Sequence, residues 1–332
     1  MEETVLALEG KDETLAILGE RTDQGWRFRL KSKEPVHGWH EHLGEVLNAL
    51  SPACLKLKPT ALHPVFSYPI WDWLRSAKEG DIDCDSWERL LKRDNPIYRA
   101  ALLIKDARNM VLISGAGLSV DSGVKDFRSP SGWWRYIDPR TVATVEALES
   151  NYDLFHAFYS TRITQLKTIV PHQGHFILAE WEKRGILTCI CTQNVDGLHQ
   201  AAGSQTVHEL HGTIRKFRCH ACGRPHTETA FLQKQNCSCG GKLRPNVVLF
   251  GESLPPEAWH PAINAIQEAD VVLVIGTSLQ VAPVNQLPFQ TKATRIFINA
   301  EETGYEDQFN LFIHGRALDC LVAIQEWMDG DC

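Results

Sequence analysis

The run Met110-Val-Leu-Ile-Ser-Gly-Ala-Gly-Leu-Ser119 decides the fold of most of this chain. Four apolar residues lead straight into Ser114-Gly-Ala-Gly117, and a short apolar run bounded by a glycine turn reads as a buried strand. Glycines directly after a strand let the backbone approach a pyrophosphate, and a following helix would add free N–H groups and the positive end of its dipole. The same Gly-x-Gly turn serves tight packing equally often. Gly115, Ala116, Gly117 and Ser119 therefore need a second such turn beside them to count as a site.

The sequence supplies one. A helix over 97–107 precedes the first strand, and further β-branched apolar runs stand at 186–191, 271–275 and 295–298. Continuous apolar strands, each followed by a turn and a helix, predict a parallel sheet covered on both faces, a doubly wound α/β fold. The run 271–275 ends in Gly276-Thr-Ser278, so Gly276, Thr277 and Ser278 repeat the arrangement at a second strand end. Two such turns on one sheet point to dinucleotide binding.

Residues 1–95 read differently. Val5, Leu8 and Leu15–Leu18 alternate with polar residues, a polar turn follows at Asp23-Gln-Gly25, and Trp26, Phe28 and Leu30 share one face of a further strand. Trp71, Trp73, Leu74 and then Trp87, Leu90, Leu91 recur at helical spacing, predicting helices near 64–78 and 85–93. This is a separate small α+β domain of unassigned role, and its aromatic residues read as core.

The chain has 332 residues, 43% of them hydrophobic, and carries 34 basic against 41 acidic side chains for a formal charge of −7. No stripe of Lys or Arg is present for a phosphate backbone, so direct nucleic-acid binding is not expected. No apolar stretch reaches the roughly 18 residues of a membrane helix, and Met1-Glu-Glu-Thr4 does not open a secretory signal. We expect no membrane partner and a cytoplasmic location.

Four of the ten cysteines fall in Cys219-His-Ala-Cys222 and Cys237-Ser-Cys239, two pairs fourteen residues apart. Two close pairs can converge on one tetrahedral ion, and four thiolates without an open position make a structural Zn2+ site. His220 and His226 read as bystanders, and Cys189 and Cys191 as buried strand residues. The stretch Cys191-Thr-Gln-Asn-Val-Asp-Gly-Leu-His199 places Gln193, Asn194, Asp196 and His199 at the carboxyl end of a strand, where open α/β sheets bind ligands.

Six motifs occur in order: GAGLSVDSGVKDFR (115–128), TQNVDGLHQAAG (192–203), ELHG (209–212), LRPNVVLFGE (243–252), GTSLQVAPV (276–284) and INAE (298–301). Together they closely resemble the sirtuin family of NAD-dependent protein deacylases, over about residues 97–325 and without the amino-terminal domain. The resemblance implies a Rossmann-like catalytic domain over 96–332, with a zinc module at about 212–245 and a helical insertion at about 129–170. It also implies an enzyme that transfers the acyl group of a modified protein lysine to ADP-ribose and releases nicotinamide.

In that resemblance Asp196 and the backbone near Val195 hold the nicotinamide carboxamide, while Gln193 and Asn194 orient the ribose. His211 acts as general base on the ribose hydroxyls, a role suited to imidazole. Phe127 shields the cleaved ribose and Arg128 orders its loop, while Ala116, Ser119, Thr277, Ser278 and Asn299 contact phosphates and the adenosine ribose. Val248, Phe250 and Gly251 belong to an edge, 247–252, on which the substrate peptide adds as a strand.

Tyr159 and Arg162 stand three residues apart on a helix, where a guanidinium beside a phenol can clamp a carboxylate. This resembles the sirtuin branch acting on succinyl and related acidic groups, with Ala143 leaving room for the longer chain. The expected activity covers succinyl- and malonyl-lysine as well as, or in preference to, acetyl-lysine. Two other readings are NAD hydrolysis or mono-ADP-ribosyl transfer, and an NAD-sensing adaptor whose amino-terminal domain binds a protein partner. Lys125 stands where the family usually has proline. Pro171-His172 replaces the commoner Pro-Asn, and His172 is expected to cap or pack.

Overall fold

The computed structural model describes residues 1–9, 14–22, 25–32, 39–50, 57–76 and 84–330. Two compact units are present: residues 1–105 together with the chain's end from Val322, and Asp106–Leu321. The division falls ten residues later than the sequence reading placed it. Helix Pro96–Lys105, read as the start of the second domain, belongs to the first unit, as does the end of the last helix, Ala317–Asp329.

In the first unit, strands Gly25–Lys31, Thr14–Thr22, Glu2–Glu9 and Lys58–Leu62 form an antiparallel sheet in that order. Its apolar face, including Leu8, Leu15, Ile17 and Phe28, packs with Val46, Leu47, Ile70 and Trp87 from the helices. Helix Ser67–Ser76 lies within the predicted span, and helix Cys84–Glu88 runs on into a wider turn over Arg89–Arg93. The strand Lys58–Leu62 was not legible: Lys-Pro-Thr-Ala-Leu has neither alternation nor an apolar run. Trp327 donates its indole N–H to Ser67 Oγ at 2.8 Å and meets Tyr68 and Tyr98 edge-on.

The second unit is a six-stranded parallel sheet. Its order is Val207–Glu209, Leu187–Thr192, Met110–Ser114, Val271–Ile275, Thr294–Asn299, Leu311–His314. Every residue of Met110–Ser114 and Val271–Ile275 is buried, which is why these strands carry no polar alternation. Each fully buried Val, Leu or Ile contributes about 1.5–3 kcal/mol. The chain starts in the middle, moves outward through two strands, then returns to build the other half, so the switch point lies between Met110–Ser114 and Val271–Ile275. Ligands bind at such a crevice.

Two insertions border it. Helices Val145–Ser150 and Tyr152–Gln165 start on side-chain caps, Thr144 Oγ1 accepting the Ala147 N–H and Asn151 Oδ1 that of Leu154. The antiparallel strands Leu243–Val247, Gly212–Cys219 and Pro225–His226 form the ribbon that carries the cysteines. Phe155, Tyr159 and Ile163 of the longer helix share a core with Phe217, Phe231 and Leu243 of the ribbon.

Candidate active site

A cavity of about 1600 Å³ opens at the switch point, floored by the turns Gly115–Gly117 and Gly276–Ser278. The turns are locked together: Gly115 N donates to Ile275 O at 2.9 Å and Gly117 N to Gly276 O at 2.8 Å. A methyl group on Gly115 would lie 2.6 Å from Gly276 O; Gly276 itself has φ +64°, and its methyl would lie 2.3 Å from Leu118 N. Only glycine fits this joint.

The segment after the first turn differs from expectation. It is a seven-residue 3₁₀ helix, Ala116–Ser122, closed by Gly123 at φ +90°, in place of an α-helix. The Leu118 carbonyl, which an α-helix would need for Ser122, instead accepts the Nε2–H of His172 at 2.6 Å. His172 Nδ1 accepts the Gly174 N–H at 2.9 Å, so His172 caps helix Gln173–Lys183 as expected and also pins the glycine loop.

Beyond strand Leu187–Thr192, the polar cluster splits into a layer that lines the cavity and a layer behind it. Gln193, Asn194 and Asp196 line the cavity; His199 is buried behind them, 2.9 Å from Ser114 Oγ. Ser119, expected at the nucleotide, is also fully buried and does not line the cavity. Its hydroxyl is committed to the site wall, donating to Asp196 Oδ2 at 2.8 Å and accepting from Asn194 Nδ2 at 3.2 Å. Asn194 Nδ2 also reaches Gly115 O at 3.0 Å, and Gln193 Nε2 donates to Thr277 Oγ1 at 3.0 Å. The acid–amide cluster is thereby tied to both glycine turns. Burial raises the Asp196 pKa against the opposing Leu198 N–H and Ser119 bonds and nearby guanidinium charges.

His211 follows strand Val207–Glu209 and precedes Gly212, whose φ of +71° and close approach to Asn246 O leave no room for a side chain. Its Nδ1–H donates to Gln193 O at 3.2 Å, which leaves Nε2 as the basic nitrogen of the neutral ring. Burial holds its pKa below the ordinary histidine value, the Gln193 bond opposing and the Arg128 charge assisting.

The loop after Gly123 forms the roof. Phe127 packs on Trp134 with ring centres 5.0 Å apart, and Trp134 continues onto Phe158. Lys125 holds its ammonium 4.2 Å above the Tyr136 ring and 5.2 Å from that of Trp133, so the departure from proline is matched by a cation–π pair. Arg128, Thr277, Ser278 and Asn299 line the cavity.

At the far end stand Ala143, Tyr159 and Arg162. Arg162 is only 9% exposed, yet among the described residues its guanidinium makes no hydrogen bond or ion pair with another side chain; it lies against the rings of Phe127, Phe158 and Tyr159 at 5.0, 5.6 and 5.9 Å. Burial pulls its pKa down, with Tyr159 and Asp196 opposing.

The segment 247–252 is not the edge strand expected. The strand ends at Val247; Val248 N donates to His211 O and Phe250 N to Ala143 O, each at 2.8 Å. Those two N–H groups face partners from the protein, so the segment bridges two elements while Val248, Phe250 and Gly251 still line the cavity. Its bend is fixed by a pair the sequence reading assigned no role. Arg244, fully buried, reaches Glu252 through Nη1 at 2.7 Å and Nη2 at 2.9 Å, and Glu252 also accepts the Leu249 N–H. An arginine in a half-apolar strand with a glutamate eight residues on was the available signal.

The sulfurs of Cys219, Cys222, Cys237 and Cys239 lie within 4.8 Å of one another, with Cys219–Cys239 at 3.5 Å and Cys222–Cys237 at 3.7 Å. A ZnS₄ tetrahedron with ~2.3 Å bonds has edges of about 3.8 Å, so the four cysteines fit zinc. Cys189 and Cys191 are buried in their strand and stand apart from this group.

Compared with known families, residues 115–283 match the Sir2 family. An NAD-dependent protein deacetylase of Oceanobacillus iheyensis is 43% identical over 220 residues, 65% of this chain and 93% of the relative. An NAD-dependent protein deacylase 2 of Pyrobaculum aerophilum is 40% identical over 233 residues, 68% and 92% of the two chains. Among solved structures, a Sir2 with a p53 peptide and NAD+ matches with a TM-score of 0.64 at 30% identity, over 69% of this chain and 97% of the other.

Proposed function

This chain belongs to the Sir2 family and is an NAD-dependent protein deacylase of the sirtuin type, and we propose that its acyl pocket takes succinyl and malonyl groups as well as, or in preference to, acetyl. The observation that carries this is Arg162, a largely buried side chain in the cavity wall whose guanidinium has no hydrogen-bonded or ion-paired acidic partner among the described residues. Taking an unpaired charge largely out of water is unfavourable. Cation–π contact with the three rings offsets about 0.5–2 kcal/mol of that and leaves the guanidinium's N–H donors without a hydrogen-bond partner. A carboxylate at the end of an acyl chain supplies the missing partner in bidentate geometry, and the Tyr159 hydroxyl beside it adds a donor. Ala143 keeps this end of the cavity wide.

For the remaining residues we propose the roles that the family resemblance implies, with which their bonds are compatible. NAD supplies an electrophilic ribose carbon and nicotinamide as leaving group. Asp196, its two oxygens fixed by the Ser119 hydroxyl and the Leu198 N–H, holds the carboxamide through its remaining lone pairs together with the backbone near Val195, while Gln193 and Asn194 orient the ribose. His211, neutral and basic at Nε2, accepts a ribose hydroxyl proton. Phe127 covers the ribose against water.

Purified protein assayed on acetyl-, succinyl- and malonyl-lysine peptides, with and without NAD, tests this. We expect NAD-dependent turnover of all three, and at least a roughly tenfold fall in the succinyl-to-acetyl ratio of kcat/KM for Arg162→Met, as expected for a lost charge-assisted bond. A ratio unmoved by that substitution overturns the acyl assignment.

A further inference from the structure

Phe127 and Arg162 come from different elements, the roof loop and helix Tyr152–Gln165, yet the guanidinium carbon lies 5.0 Å from the Phe127 ring centre. Two further contacts close the set: Trp134 packs on Phe127 at 5.0 Å and on Phe158 at 6.3 Å, and Arg162 also lies 5.6 Å from the Phe158 ring. A guanidinium binds carboxylates through its in-plane N–H edge and aromatic rings through its face. The two uses do not compete. A bidentate carboxylate fixes the orientation of the group, whose carbon lies 5.0 Å from the Phe127 ring centre.

We infer that Arg162 is a positioning residue for Phe127, so that a carboxylated acyl chain in the pocket also seats the ring that shields the ribose from water. This rests on the acyl reading above and adds a consequence to it: the acidic acyl group lowers the wasteful loss of NAD as well as binding the substrate. In that loss, the oxygen of a water molecule bonds to the ribose carbon as the bond to the nicotinamide nitrogen breaks. The bonding pair leaves with nicotinamide, the water's proton passes to solvent, and the products are nicotinamide, ADP-ribose and H⁺. In productive turnover, one nicotinamide appears for each lysine freed. The ratio of nicotinamide to freed lysine therefore measures leakage, independent of how fast the enzyme runs.

The test measures that ratio with succinyl- and acetyl-lysine peptides for the wild-type chain, Arg162→Met and Arg162→Lys. The wild-type ratio should lie near one with succinyl-lysine and higher with acetyl-lysine. Arg162→Met should leak with both peptides, by roughly threefold to tenfold, the span of a single cation–π contact. Arg162→Lys keeps the charge without the flat face and should leak while retaining part of the succinyl preference, which keeps the question decidable if the methionine variant does not fold. Wild-type ratios equal for the two peptides, or unchanged in both variants, overturn the coupling. Loss of succinyl preference at constant ratio removes the coupling and leaves the carboxylate clamp standing. A raised ratio at constant preference removes the clamp and leaves the stacking role.

Discussion

Ser119 donates its hydroxyl to Asp196 across 2.8 Å, inside the wall of the cavity and out of reach of solvent. Burial raises the Asp196 pKa, and the Ser119 bond is one of the interactions that work against the rise. A carboxyl whose folded pKa lies above its unfolded value of about 3.9 gives its full stability contribution below that value and loses it as pH rises through the folded pKa. Ser119→Ala removes a bond to the ionised form, so the folded pKa moves further up. The acid limb of kcat/KM should shift to higher pH, and stability at neutral pH should fall by about 1–3 kcal/mol. A pH–rate profile superimposable on the wild type would show that Asp196 ionisation does not govern turnover.

His211 shifts the other way. Its pKa is depressed by burial, so the neutral ring persists below the ordinary value of about 6.5, and the stability it gives is present above that value and lost as pH falls. The limb belonging to the base should fall below pH 6.5 in kcat/KM. His211→Ala should lower kcat by at least a factor of about 100, the usual worth of general base catalysis, with an unchanged circular dichroism spectrum. Retained turnover would remove His211 from the chemistry.

The central strands were legible because strands buried on both faces must be apolar throughout, as in Val271–Ile275. The sheet's two edge strands, Val207–Glu209 and Leu311–His314, were not, since an edge of three or four residues tolerates His208, Glu209 and His314. Cavity residues were legible through ordered motifs. What the sequence hides is which partner a polar group takes. His172 capping its own helix is local and could be foreseen; its bond to Leu118 crosses 54 residues to a carbonyl of the 3₁₀ helix. Val248 and Phe250 look like a strand, yet their N–H groups answer to His211 and Ala143.

Arg244 and Glu252 shape the peptide side of the cavity. Burial works to raise the Glu252 pKa, but the Arg244 bonds, the Leu249 N–H and the guanidinium charges of Arg244 and Arg218 together hold it low. The depressed value means the stability it gives is present above pH about 4.3 and lost as pH falls through the folded pKa. Glu252→Ala would strand a fully buried guanidinium, so unfolding should become easier by about 3–5 kcal/mol. The milder Glu252→Gln should raise the peptide KM more than the NAD KM, because the bend at Val248–Gly251 loosens. Equal changes in both constants would place the pair outside peptide binding.

The zinc ribbon reaches the chemistry through its first strand. Gly212 opens the strand that ends in Cys219, and Gly212 pairs with Val247, so the residues flanking His211 and Val248 are anchored to the cysteine cluster. Three short strands and one helix of five residues have a small core of their own, Ile214, Phe217, Phe231, Leu243 and Val247 beside the cysteines. Metal binding in small zinc modules is worth on the order of 10 kcal/mol, and that binding energy is folding energy. One zinc per chain should be measured by atomic absorption in purified protein. Chelation, or Cys237→Ser, should lower the melting temperature and abolish deacylation, with the metal's return restoring the chelated protein. NAD binding by the Gly115 and Gly276 turns, which none of the four clustered cysteines supports, should outlast the loss of peptide turnover as zinc is withdrawn. If nucleotide and peptide binding instead vanish together, the ribbon holds up the whole cavity and the division of labour between the two modules is wrong.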